Sequence, residues 1–112
     1  MMLQEEGQLL RIFIGERDKY DRRPLYEWIV RKAREFGLAG ATVFRGMEGF
    51  GVKGRIHITK ILRLSSDLPI VIEIIDTSEK IEQFIPIVDD AIKEGLATLE
   101  KTNIRFYRVC TR

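Results

Sequence analysis

Strand, helix, strand, strand, helix, strand is the order that the apolar periodicities of this chain predict, and with it one α+β domain spanning residues 1–112. Three observations predict it. Apolar residues alternate with period two through positions 8–14, two stripes at helical spacing follow Pro24 and Asp76, and a β-branched run fills positions 70–75 between them. With 45% hydrophobic residues the chain can bury one core, whereas two domains would each be too small.

In the first strand Leu10, Ile12 and Ile14 share one face and Leu9, Arg11 and Phe13 the other. A polar stretch over 15–23 leads to Pro24, whose missing N–H has no partner in a first helical turn anyway. Leu25, Trp28, Ile29, Ala33 and Phe36 then form a helical stripe, and Gly37 is the expected C-cap. Thr42, Val43 and Phe44 mark a second strand over 41–47. After Asp67 and Pro69, residues 70–75 are β-branched except for Glu73, as suits a central strand.

Asp76, Thr77 and Ser78 offer capping oxygens to a second helix, whose stripe is Ile81, Phe84, Ile85, Val88 and Ile92. Pro86 inside it predicts a kink or break near Gln83, and Gly95 the helix end. Residues 97–100 and 104–109 read as two short strands joined at Thr102 and Asn103. The whole is a ferredoxin-like βαββαβ sandwich, with a long glycine-rich loop after the second strand and an extra C-terminal strand. Both helices then cover one sheet face, leaving Leu9, Phe13, Val71 and Ile75 on the other, where a partner subunit is the economical cover.

Charge excludes more than it suggests. Nineteen basic and seventeen acidic residues leave +2, which gives no net-charge case for nucleic acid or an anionic membrane. No apolar run is long enough to cross a bilayer, and the N-terminus lacks the basic start and apolar run of a secretory signal. Cys110 is the sole cysteine, so no intrachain disulfide forms and a reducing, cytoplasmic setting is expected.

The candidate site is the segment 45–57. Gly46, Gly49, Gly51 and Gly54 fall within nine residues, interleaved with Arg45, Glu48, Phe50 and Lys53. Such a run resists ordering as a strand interior, but it lets backbone N–H groups approach a phosphate or carboxylate that Arg45, Lys53 and Arg55 neutralise. The alternative is an ordinary wide turn. The run has neither the Gly-Lys-Ser/Thr end of a Walker loop nor the dinucleotide fingerprint spacing. His57, the single histidine, has no partner for a metal site; it is either a structural histidine or a donor facing the loop's anion. Nothing places Glu48, Glu73 or Asp76 beside a nucleophile, so no catalytic residue and no metal ligand is assigned. Lys101 and Arg108 complete an anion site only if they reach the loop of a neighbouring subunit.

The stretches 45–51, 54–57, 61–65, 67–69 and 72–76, with the helix segment 24–36, make the chain resemble an uncharacterised bacterial and archaeal branch of the PII-like signalling superfamily. That resemblance implies a homotrimer whose loop after the second strand projects outward, with adenine nucleotides such as ATP, ADP or AMP held between subunits. It further implies a non-enzymatic regulator whose loop reports to a target protein, such as a membrane transporter or channel. The chain departs from the nitrogen-regulatory pattern in two places. There is no tyrosine between Arg45 and Ser65, which argues against uridylylation, and residues 95–98 lack the glycine-rich basic turn that grips phosphates, which bears against ATP. The rivals are an acylphosphatase-like hydrolase using Arg45 and Asn103, and an RNA-binding sheet suggested by residues 49–52.

Overall fold

A computed structural model describes residues 5–50, 56–58 and 67–110. The alternating run near the N-terminus forms β1 (Glu5–Gly15), longer at both ends than its apolar core. The polar stretch after it is a small hairpin, β2 (Lys19–Tyr20) and β3 (Arg23–Pro24), turned by Asp21 and Arg22 at φ 52° and 66°. Then come α1 (Leu25–Phe36), β4 (Gly40–Arg45), β5 (Glu48–Phe50), β6 (Ile56–Ile58), β7 (Pro69–Thr77), α2 (Ser78–Ala91) and β8 (Leu96–Ile104).

The four long strands make one antiparallel sheet in the order β4-β7-β1-β8. Each helix therefore links two strands that run parallel with a third between them, which is the ferredoxin-like arrangement. Leu10, Ile12 and Ile14 of β1 and Ile70, Ile72 and Ile74 of β7 point to the helix side and are buried. Leu25, Ile29 and Ala33 of α1 and Ile81, Phe84, Val88 and Ala91 of α2 close over them.

Local chemistry sets the helix ends. Gly37 takes φ 83°, and the Gly37 and Leu38 N–H groups donate to Arg34 and Ala33 carbonyls in a Schellman closure. Thr77 is the α2 N-cap, its hydroxyl accepting from the Lys80 N–H at 3.4 Å. Asp76, expected as a cap, is instead buried and accepts from the Ala39 N–H at 2.8 Å, tying the turn after α1 to the end of β7.

Three expectations are corrected. α2 runs unbroken through Pro86, because Glu82, Gln83 and Pro86 are all exposed and water can satisfy the carbonyl that proline leaves free. The helix ends at Ala91 rather than Gly95. A Cβ at Gly95 would stand 2.8 Å from the Phe13 carbonyl oxygen, so this glycine serves the close passage of the chain over β1. The two C-terminal segments are one strand, β8, since all nine of its residues find register along β1; residues 105–110 carry no regular structure.

The helices lie over β4, β7 and β1, leaving the helix-side face of β8 open, with Leu99 46% exposed. On the opposite face of the sheet the register aligns Phe44, Val71, Phe13 and Leu96 in one row across all four strands. Leu9 and Ile75 lie on the same face two same-face rows further along, as expected of the uncovered face. Between the two sets Arg11 pairs with Glu73 at 2.9 Å and Glu100 at 3.4 Å. The hydrogen bond to Glu73 is the main cause that raises the Arg11 pKa above its ordinary value, with both carboxylates adding and desolvation opposing. No helix of the described residues is long and apolar enough to cross a membrane.

Candidate ligand-binding site

The glycine-rich segment departs from the sheet at the end of β4. Arg45, whose partner across the ladder is Ile70, directs its guanidinium to Glu16, Nε to Oε2 at 3.0 Å and Nη2 to Oε1 at 3.2 Å. This two-pronged pair fixes the base of the segment to the end of β1. Immediately after it, the Gly46 N–H donates to the Pro69 carbonyl at 2.7 Å, continuing the β4–β7 contact by one residue.

Beyond Met47 the segment is partly strand, contrary to the expected loop. Glu48, Gly49 and Phe50 pair with Ile58, His57 and Ile56 to form a two-stranded ribbon. The physical reason lies in Pro69. A Cβ at Gly46 would be 2.7 Å from Pro69 Cγ, and one at Gly49 3.2 Å from the same atom. Gly46 is therefore needed for the ribbon to cross the proline ring and Gly49 keeps that crossing uncrowded, a packing role beside any contact with an anion. Met47 and Phe50 project into solvent at 76% and 72% exposure.

Glu48, Gly49, Phe50 and the His57 backbone are thus brought into one ribbon, with Arg45 at the end of β4 and Gly46 just after it forming its base. Gly51, Lys53 and Gly54, and the His57 side chain, lie outside the described residues. Arg108 is not brought there. It follows β8, at the opposite sheet edge from β4, and β8 ends beside Glu5 whereas β4 ends level with Ile14. Three strand spacings and nine residues of strand separate the two ends, on the order of 14 Å across and 30 Å along. Arg108 instead sits over the Phe106 ring, its guanidinium carbon 4.3 Å from the centroid. The same separation holds for Asn103, so the hydrolase reading lacks its required proximity to Arg45 within one chain.

Residues that the sequence reading missed hold the ribbon base. The Gly15 N–H donates to Asp18 at 3.0 Å, the Arg17 N–H to Asp67 at 2.8 Å, and the Glu16 N–H to the Leu68 carbonyl at 2.8 Å. Their only sequence signal is turn punctuation at Gly15 and Asp67. Among the described residues no group of three His, Cys, Asp or Glu is arranged to hold a metal ion.

Residues 7–104 match the model of the DUF190 family, described as Uncharacterized ACR, COG1993. The chain belongs to that family. Relatives of this DUF190 protein include a UPF0166 protein of Aquifex aeolicus, 41% identical over 97 residues, covering 87% of this chain and 91% of that one. A UPF0166 protein of Methanocaldococcus jannaschii is 35% identical over 90 residues, 80% of this chain and 82% of that one. Among solved structures, CPII of Thiomonas intermedia K12, a nitrogen regulatory PII-like protein bound to ADP, AMP and bicarbonate, superposes with a TM-score of 0.60 at 16% identity over 94% of this chain and 92% of that one. The divalent ion tolerance protein CutA1 of Ehrlichia chaffeensis gives 0.58 at 11% identity, covering 89% and 82%. At these identities the likeness speaks for the fold, and the DUF190 chain has the ferredoxin-like fold of PII-like proteins and CutA1.

Proposed function

We propose that this DUF190 protein is a PII-like regulator, a cytoplasmic homotrimer that senses a small anionic ligand through the ribbon at the cleft between subunits. An adenine nucleotide, ATP, ADP or AMP, is the first candidate ligand, and a target protein such as a membrane transporter or channel is the recipient of the signal. The observation that carries this reading is the uncovered sheet face, with its row Phe44, Val71, Phe13 and Leu96, in a chain that shares its fold with a protein bound to ADP, AMP and bicarbonate. Covering that face with neighbouring copies sets one subunit's ribbon beside another's surface, where cations such as Lys101 and Arg108 that are remote in one chain come within reach. Binding then works by ordering: the ribbon tip gains contacts when the anion is present, and the target reads the change.

Titration calorimetry of the purified oligomer against ATP, ADP, AMP and bicarbonate tests the ligand. Heat of binding for at least one is expected, and silence across the set removes the nucleotide version. Light scattering tests the assembly, and a monomer removes the cleft.

A further inference from the structure

One face of α2 is left open by the fold. Its α1 side is identified by Phe84, whose ring packs on Phe36 at 5.5 Å, and by the Lys80 ammonium on the Gly37 carbonyl. The opposite flank, on the β8 side, carries Glu82, Ile85 and Asp89 at spacings of three and four residues, one helical stripe, and Ile92 follows just past the helix end. The stripe alternates acid with apolar residue. Glu82 and Asp89 are exposed and have no ion-pair partner among the described residues, whereas Ile85 and Ile92 are half-buried. The facing wall is the helix-side surface of β8, where Leu99 is 46% exposed.

The segment after β8 has a complementary order: the base–apolar pair Arg105-Phe106 is repeated three residues on as Arg108-Val109, with Tyr107 between them. Phe106 and Val109 are 47% and 52% exposed, and the guanidiniums of Arg105 and Arg108 meet only the Phe106 ring among the described residues. Spacing agrees as well as sign. Seven helical residues from Glu82 to Asp89 rise about 10.5 Å, and a polyproline II turn, which returns every third side chain to the same face, carries Arg105 to Arg108 over about 9 Å. We propose that residues 105–109 of one copy lie in the α2–β8 groove of a second copy, Phe106 and Val109 against Ile85, Ile92 and Leu99, and the two arginines on Glu82 and Asp89. A second copy is the fitting donor, because the chain's own segment leaves β8 in the direction away from the Asp89 end and would have to reverse at the residues that bind.

The proposal does not depend on the ligand reading. The single cysteine, Cys110, is exposed and takes a nitroxide spin label at the end of the segment. Full-length spin-labelled chain without isotope is mixed with full-length ¹⁵N chain without label. Amide signals of residues 82–92 and 96–101 are expected to lose most of their intensity. Arg105→Glu with Arg108→Glu in the spin-labelled chain should weaken the contact about tenfold and restore the signals. Adding Glu82→Arg with Asp89→Arg in the ¹⁵N chain should bring the broadening back, since the charges are exchanged and the spacing kept. An unchanged spectrum in the first mixture, broadening at other residues, broadening only when both labels share a chain, or failure of the exchanged pair overturns the proposal. Unshifted signals from β1 and β7 show that the variants remain folded.

Discussion

Gly46→Ala places the ribbon's geometry under test. The new Cβ would lie 2.7 Å from Pro69 Cγ and 3.3 Å from the Pro69 carbonyl oxygen, about 1 Å short of an unstrained carbon contact. Neither neighbour yields readily, because the proline ring is rigid and its carbonyl accepts the Gly46 N–H. Overpacking of this kind costs about 1–3 kcal/mol, and the reduced freedom of the unfolded chain returns about 0.4–1 kcal/mol. A net loss of about 1–2 kcal/mol remains. Gly40, at the other end of β4, is the control: a Cβ there meets only Ile75 Cγ2 at 3.7 Å, so Gly40→Ala should be neutral or stabilising. Urea denaturation reads both, with a drop in midpoint of about 0.5–1 M for Gly46→Ala at an ordinary slope. Pro69→Ala removes Cγ, and in that background Gly46→Ala should lose most of its cost. Equal costs with and without the proline ring would refute the crossing as the reason for the glycine.

Replacing Asp76 by alanine strips a buried carboxylate from the Ala39 and Thr77 N–H groups and is expected to cost about 2–3 kcal/mol in the same assay. Gln8 behaves oppositely: its Oε1 is buried with no hydrogen-bond partner among the described residues, so Gln8→Met should raise stability by up to about 1 kcal/mol. Phe44→Asp with Leu96→Asp puts carboxylates at both ends of the uncovered row and should convert the proposed oligomer to a folded monomer, read by light scattering and circular dichroism. For Arg11, the raised pKa means that its contribution is complete below the ordinary arginine value and is lost only as pH rises through the still higher folded value. The stability difference between wild type and Arg11→Met, measured by urea denaturation, should therefore show no arginine titration between pH 6 and 9.

Much of the fold was legible because strand and helix patterns are local. The burial of Leu10, Ile12 and Ile14 follows from alternate residues sharing a strand face, and Gly37 ends α1 through the left-handed φ that glycine tolerates. Pro86 misled for a local reason too: the rule that proline interrupts a helix assumes that the lost hydrogen bond goes unreplaced, and at this exposed position water replaces it. The candidate site was legible as a segment and not as a shape. Four close glycines signalled a special backbone, yet nothing near them in the chain says that Pro69 is the obstacle two of them avoid.

From its residues alone, then, this protein has its βαββαβ order, its two apolar stripes, its sheet with one covered face and the position of its unusual loop. Tertiary structure decided which distant groups meet: Glu16 on Arg45, Asp67 on the Arg17 N–H, Asp76 on the Ala39 N–H, and Arg108 far from the ribbon at the opposite corner of the sheet. Periodicity follows from the geometry of one element, whereas such meetings depend on strand order and register, which set what lies across the sheet.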